Sequence, residues 1–199
     1  MERSPLAVVG SVAAVVGGAM WIVKGGVILA VGDQPPLMFE TAALLFPLAL
    51  IGLHDRLGGE GGKRARTGGV LARLAGASGL ATASYGLFVP EPSDVILGLL
   101  VAVTGLSTFI GLLLLGLAAR SVGALPSRWR NLPAAMGIAA IPAMTVIGGV
   151  LEAIHERLLE LPIVAFGIAW VVLGFLLWLP RGADERCGAD TPDPGPAPA

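Results

Sequence analysis

The stretch VILGLLVAVTGLSTFIGLLLLGLAA, from Val95 to Ala119, contains no charged residue and decides the class of fold. An α-helix rises about 1.5 Å per residue, so a helix of this length crosses the ~30 Å hydrocarbon core of a bilayer. Further apolar segments lie on both sides of it, and only 14% of the 199 residues are charged. Soluble domains have about 25%. The sequence therefore predicts an all-α, polytopic membrane protein.

Six apolar segments predict a bundle of six transmembrane helices. They cover residues 6–31, 37–53, 69–89, 95–119, 132–151 and 161–179. Together they form one transmembrane domain over residues 1–181. Residues 182–199 are rich in Pro, Gly and Asp, which predicts a disordered cytoplasmic tail. The tail carries Cys187, the one cysteine of the chain, so a disulfide framework is excluded.

The positive charges of the loops predict the orientation. One side receives Arg3, Arg56, Lys63, Arg64, Arg66, Arg73, Arg120, Arg128, Arg130, Arg181 and Arg186. The other side receives Arg157, together with the acids Asp33, Glu91, Asp94, Glu152, Glu156 and Glu160. Because positively charged loops stay in the cytoplasm, both termini are expected there. We expect a location in the bacterial inner membrane.

Small residues predict where helices approach one another closely. Rows with a spacing of four occur at Ala14/Gly18, Ala75/Gly79/Ala83 and Thr145/Gly149/Ala153, all in odd-numbered helices. Membrane helices associate through close backbone contact rather than through the hydrophobic effect. We therefore expect the odd helices at the centre and the Leu-rich even helices towards lipid. A homodimer face is the alternative. Pro47 and Pro142 lie inside predicted helices, and each is expected to bend its helix.

One polar constellation stands out, and Lys24 is its centre. Lys24 is the charged residue deepest inside a predicted span, about 10 Å from the outer surface at 1.5 Å per residue. An ionisable group at that depth needs a partner or water. Glu40 begins the second span after a short turn, which predicts a Lys24–Glu40 pair. Trp21 lies one turn before Lys24, which leaves a cation–π contact open.

A second group of candidates lies at the outer end of the fifth span. The spacing of Glu152, His155 and Glu156 places them on one face of a continuous helix. Two carboxylates four residues apart favour a nearby cation, such as Lys24, Arg157 or a bound ion. Glu152 and His155 also have the spacing of di-iron helices, but those sites need a second pair. No metal is therefore expected.

The composition and motifs restrict the function without assigning one. A net charge of −1 and a pI near 6.1 exclude nucleic acid as a partner, and no nucleotide, hydrolase, zinc or dithiol motif occurs. No cofactor is expected. The leading hypothesis is a non-enzymatic bundle that binds or passes a small polar or cationic solute. A structural or regulatory subunit of a membrane complex, and an intramembrane cyclase with a glutamic acid as proton donor, stay open.

Four short motifs carry a resemblance. They are Trp21–Gly26 (WIVKGG), Gly32–Pro36 (GDQPP) followed by Phe39-Glu40, Leu151–Glu160 (LEAIHERLLE) and Ala169–Gly174 (AWVVLG). With these motifs the chain resembles an uncharacterised family of small multi-pass membrane proteins from high-GC actinobacteria. That family has no assigned activity, so the resemblance implies the topology and no mechanism.

Overall fold

The structure is a computed structural model that describes residues 4–33, 38–91 and 93–179. Within these residues it is all helical and has no strand. The helices are α1 Pro5–Val31, α2 Met38–Arg56, α3 Gly62–Phe88, α4 Asp94–Ser121, α5 Leu132–Pro142, α6 Gly148–Ile154 and α7 Glu160–Trp178. A π-helical segment, Ala143–Ile147, joins α5 to α6, and a 3₁₀ turn, Glu156–Leu159, precedes α7. Counting α5, the π segment and α6 as one rod, the described chain forms six rods.

Four of these rods are long and apolar enough to cross a membrane. They are Pro5–Val31, Asp94–Ser121, Leu132–Ile154 and Glu156–Trp178. This finding confirms the all-α class and indicates a membrane location. The two other rods, α2 and α3, coincide with the second and third predicted spans. Helix α3 begins seven residues before the predicted span, because it continues through Lys63, Arg64 and Arg66. The predicted tail 182–199 lies outside the described residues.

Neighbouring rods pack side by side in the order α7, α1, α2, α3, α4, α5, and α5 contacts α7. Consecutive rods therefore run in alternating directions, and the bundle has two ends. We call the end where α2, α4 and α7 finish the basic end, since it carries Arg56, Arg64, Arg120 and Arg130. The opposite end, where α1 finishes and α7 begins, is the acidic end.

The expectation that odd helices form the centre is wrong. Helix α2 contacts α1, α3, α4 and α7, whereas α3 contacts α2 and α4. The α2 side chains Leu50 and Leu53 are fully buried. Glycines bring the neighbouring helices close together, and the leucine side chains of α2 fill the space between them. Exposed apolar side chains occur on all the rods, and α2 contributes Leu48.

The most extensive helix contact is that of α1 with α7, and small residues let the two backbones approach. A Cβ added to Gly18 would lie 2.5 Å from the Gly167 carbonyl oxygen, and one added to Gly174 would lie 2.8 Å from the Ser11 carbonyl oxygen. The Ser11 hydroxyl donates a 2.8 Å hydrogen bond to the Gly174 carbonyl. No larger side chain fits this seam, which holds the start of α7 against the last third of α1.

Pro142, which the sequence predicted to bend its helix, lies where the helix type changes. Proline lacks the N–H that an α-helix needs at that position, and the chain continues as the π-helical segment from Ala143. The Thr145 hydroxyl donates a 2.8 Å hydrogen bond to the Ile141 carbonyl on the other side of the proline. The irregular turn is thereby supported from within its own rod.

Buried hydroxyl groups join α3 to α4. The Thr104 hydroxyl has two acceptors within reach of its one hydrogen, the Ser78 hydroxyl at 3.0 Å and the Leu100 carbonyl at 2.8 Å. The Thr82 hydroxyl donates to the Ser78 carbonyl over 2.8 Å. Hydrogen bonds between membrane helices are each worth about 0.6 kcal/mol on average. The Thr104–Ser78 contact fixes the register of α3, the least apolar of the rods, against α4.

Candidate functional site

The structure brings two buried charges together at the acidic end of the bundle. The Lys24 ammonium of α1 lies 3.2 Å from Glu160 Oε2 and 3.3 Å from Oε1, and donates to both. Lys24 is 5% exposed and Glu160 is 8% exposed. Among the described residues this is the one salt bridge. It ties α1 to the first residue of α7, across a sequence separation of 136 residues.

The partner differs from the one that the sequence predicted. The sequence places Glu160 among the outer acids and predicts Glu40 as the partner of Lys24, because a short turn makes α1 and α2 neighbours. Glu40 does lie in the first turn of α2, but its side chain lies outside the described part of the structure. The Lys24–Glu40 pair therefore stays a prediction, and the Lys24–Glu160 pair is the one that the structure describes.

Gly25 explains why Glu160 reaches Lys24. A Cβ at Gly25 would lie 2.6 Å from Val164 Cγ2 and 3.4 Å from the Glu160 carbonyl oxygen. The missing side chain lets the first turn of α7 settle against α1, so that the carboxylate and the ammonium meet. Gly26, its neighbour, has nothing within 4 Å of such a Cβ. The two adjacent glycines thus have different roles, and only Gly25 positions the pair.

Three aromatic rings form a layer deeper in the bundle, on the side of the pair away from the acidic end. Trp21 meets Phe46 edge to face at 4.9 Å between ring centroids, and Phe46 stacks on Trp170 at 4.5 Å. Trp170 is fully buried, and its indole N–H has no hydrogen-bond partner within the described residues. The rings give the site an apolar floor that contains one unused donor.

The second predicted group is not assembled. Helix α6 ends at Ile154, and His155 is extended, with φ −162° and ψ 128°. Its Nδ1 accepts a 3.2 Å hydrogen bond from the Arg157 backbone N–H and so caps the following 3₁₀ turn. Glu152, His155 and Glu156 therefore do not share one helical face, and all three are exposed. The expectation of a common face was wrong because the histidine side chain competes with the helix.

The segment between α6 and α7 also covers the C-terminal end of α1. Gly32 ends α1 in the left-handed conformation, with φ 89°, which favours glycine. A Cβ there would lie 2.7 Å from Arg157 Nη2, so the guanidinium lies directly against the C-terminus of α1. A positive charge is favourable at that end of a helix dipole. Arg157 therefore stabilises α1 from outside the Lys24–Glu160 pair.

No metal cluster accompanies these residues. Across the described parts of the chain, no group of three or more His, Cys, Asp and Glu side chains is placed to hold a metal ion. The buried pair offers one ammonium and one carboxylate, and the exposed carboxylates of Glu152 and Glu156 lie at the same end of the bundle.

Comparisons with known proteins identify no relative. No protein-family model, no curated protein and no solved structure matches the chain. The resemblance to an actinobacterial membrane family stays a prediction, and function has to be argued from the geometry.

A buried arginine at the basic end was not predicted as a structural residue. Arg56 Nε donates to the Ala124 carbonyl over 2.9 Å, and Nη1 donates to the Leu177 carbonyl over 2.7 Å. It thus joins the end of α2 to the α4–α5 loop and to the end of α7. In the sequence Arg56 was one of many positive charges in the loops, and its position two residues after His54 gave no signal of burial.

Proposed function

We propose that this chain is a non-enzymatic membrane protein with six spans and both termini in the cytoplasm of a bacterial cell. At its outward-facing acidic end it binds or passes a small polar solute. The solute site is built on Lys24 and Glu160, with Trp21 below and Glu40 at the start of the neighbouring helix. The observation that carries the proposal is the buried Lys24–Glu160 pair in otherwise apolar helices.

The energetics support a role beyond holding helices together. Charged groups within a membrane cost about 2.5–3.5 kcal/mol each on insertion scales, and such residues commonly mark solute or ion pathways. The glycine seam between α1 and α7 already holds the same two helices through Gly18 and Gly167. A buried pair is also weak evidence for stability, because an apolar replacement is often neutral. The free-energy cost of burying the pair is therefore large compared with the stability that it adds to two helices already packed closely through glycines.

Unused hydrogen-bonding capacity indicates the kind of solute. An ammonium has three donors, and a carboxylate accepts about four hydrogen bonds, yet each group's described partner is the other. A small solute with both an acceptor and a donor or positive charge would satisfy these groups by inserting between Lys24 and Glu160. This chemistry suits a zwitterion or a polar cation better than an anion.

Thiol accessibility with the ion pair intact tests the proposal. Val164 touches Gly25 and lies one turn after Glu160, whereas Ala165 is exposed on the outside of α7. In a Cys187→Ser background, we expect a membrane-impermeant methanethiosulfonate reagent added from outside to modify Val164→Cys. We expect it to leave Ala165→Cys unmodified, because lipid covers that position at the same depth.

Two results would overturn the solute site. If Val164→Cys does not react, water does not reach the pair from outside, and the pair is structural. If positions 164 and 165 react equally, the reagent reports depth in the membrane and not a cavity. Slower modification of Val164→Cys in the presence of a candidate zwitterion would identify the solute class.

A further inference from the structure

Three arginines meet in one cavity at the basic end of the bundle, far from the Lys24–Glu160 pair. The cavity has a volume of about 280 Å³ and is lined by Arg64, Arg120, Arg130, Leu117 and Ser121. Its lining contains no acidic residue. In the described ranges none of the three guanidinium groups has an acidic partner, since the described salt bridge is that of Lys24.

The fold brings the three arginines together through close helix contacts. Gly61, which precedes α3, packs against Ala118 of α4, where an added Cβ would lie 2.9 Å from the alanine Cβ. This contact places the first turn of α3, with Arg64, beside the last turn of α4, with Arg120. Gly116 likewise lies directly against the Ala134 backbone, which brings the start of α5 and the preceding Arg130 to the same place.

The first turns of α3 carry an excess of positive charge, and the acid nearest to them in the sequence, Glu60, precedes the helix. Lys63, Arg64 and Arg66 occupy its first turns, with no acidic residue in the first turn and no side-chain cap. Positive charge is unfavourable at a helix N-terminus, where the backbone N–H groups attract anions. Three mutually repelling guanidinium groups add to this cost. A bound anion would offset the positive charge at the start of α3 and would reduce the repulsion among the three guanidinium groups.

We propose that this cavity binds a phosphate-bearing anion. Planar guanidinium groups recognise phosphate oxygens in pairs, and three of them around one cavity suit a group with several oxygens. Basic pockets between membrane helices on the cytoplasmic side commonly hold phospholipid headgroups. Leu117 adds an apolar wall, and apolar side chains such as Val70, Leu74 and Ile110 are exposed further along α3 and α4. A phosphodiester headgroup with its acyl chains along these helices fits this arrangement, and a free phosphate compound shares the same headgroup chemistry.

Matched charge variants of the full chain test the site. The cavity variant is Arg64→Gln/Arg120→Gln/Arg130→Gln. The control variant is Lys63→Gln/Arg66→Gln/Arg128→Gln, which removes three positive charges from the same end but none from the cavity lining. Both are purified in a neutral detergent, and a melting curve without ligand confirms that each is folded. Binding of phosphatidylglycerol is then measured by native mass spectrometry, with phosphatidylcholine as the uncharged reference.

We expect the parent and the control variant to retain phosphatidylglycerol over phosphatidylcholine, and the cavity variant to bind it at least tenfold more weakly. Inorganic phosphate and pyrophosphate, titrated against the melting temperature, distinguish the sources. A shift with these ions and none with the lipid assigns the site to a soluble phosphate compound. Equal weakening in both triple variants would overturn the proposal, because the attraction would then be diffuse. Absence of binding by the lipid and by both ions would also overturn it.

Discussion

At the scale of single residues, the ion pair of Lys24 and Glu160 can have two roles, which are to hold helices together and to bind a solute. Both side chains are almost fully buried, so removal of either one leaves a buried charge without a partner. Removal of both leaves two groups that lipid and protein tolerate. The energetic asymmetry between these cases is large and does not depend on which solute binds.

A double-mutant cycle on this pair is the first prediction. We expect Lys24→Met and Glu160→Gln each to destabilise the bundle by about 3 kcal/mol, as broken buried pairs do. The double variant should recover part of that loss, with a coupling energy of at least about 1 kcal/mol. The measurement is thermal or chemical unfolding in detergent micelles.

Glu40→Gln provides the matched control for that cycle, because Glu40 lies at the start of α2 and at the same end of the bundle. It should show no coupling to Lys24→Met. Coupling to Glu40 in place of Glu160 would contradict the geometry described here and would restore the partner that the sequence predicted.

At the scale of helices, the seam between α1 and α7 repeats every seven residues. On α1 the contact positions are Ser11, Gly18 and Gly25, and on α7 they are Glu160, Gly167 and Gly174. The two series run in opposite directions, so Gly25 meets Glu160 and Ser11 meets Gly174. A seven-residue repeat of contact positions is the pattern of helices that wrap around each other with a left-handed twist.

The contact positions of the α1–α7 seam could be predicted only in part from the sequence. Gly18 was predicted as a close-contact position because it lies four residues after Ala14. Gly167 and Gly174 are seven residues apart, and that spacing was not used to predict close contacts. The partner helix was also not predicted, because sequence adjacency indicates α1 with α2, whereas the α1–α7 contact depends on the arrangement of the whole bundle. For the same reason the sequence predicted Glu40 as a partner of Lys24 and did not predict Glu160, which the structure places beside it.

The second prediction tests the seam with one methyl group. At Gly18 an added Cβ would meet the Gly167 carbonyl oxygen, which is backbone and does not move easily. At Gly26 it would meet nothing within 4 Å. We expect Gly18→Ala to destabilise the protein by about 1–3 kcal/mol through overpacking. Gly26→Ala should be neutral or stabilise by up to about 1 kcal/mol, since alanine is the better helix former. Equal melting temperatures of the two variants would show that α1 and α7 do not pack as closely as described.

At the scale of the whole molecule, the charges separate onto the two ends of the bundle. The ends of α2 and α4 and the starts of α3 and α5 carry the arginines, while α1 and α7 meet among the acids. Four rods are apolar enough to cross a membrane by themselves. Helices α2 and α3 carry more charge near their ends, yet α2 is enclosed by four neighbours and α3 is bonded to α4 through buried hydroxyls. Helices α2 and α3 pack beside rods that are long and apolar enough to cross a membrane, and the proposal of six spans rests on this packing.

The last prediction tests this topology at α3, the rod with the most basic residues. Single cysteines in a Cys187→Ser background are placed on exposed positions at its two sides, as Glu60→Cys before α3 and Glu91→Cys after it. If α3 crosses the membrane with its basic end inside, an impermeant maleimide labels position 91 on intact cells and position 60 only after permeabilisation. Asp33→Cys, at the acidic end beside α1, should behave as position 91 does. Labelling of both 60 and 91 from the same side would remove α3 from the membrane. It would also leave the alternation of loop charges without a cause, because that alternation requires each rod to reverse the side of the next loop.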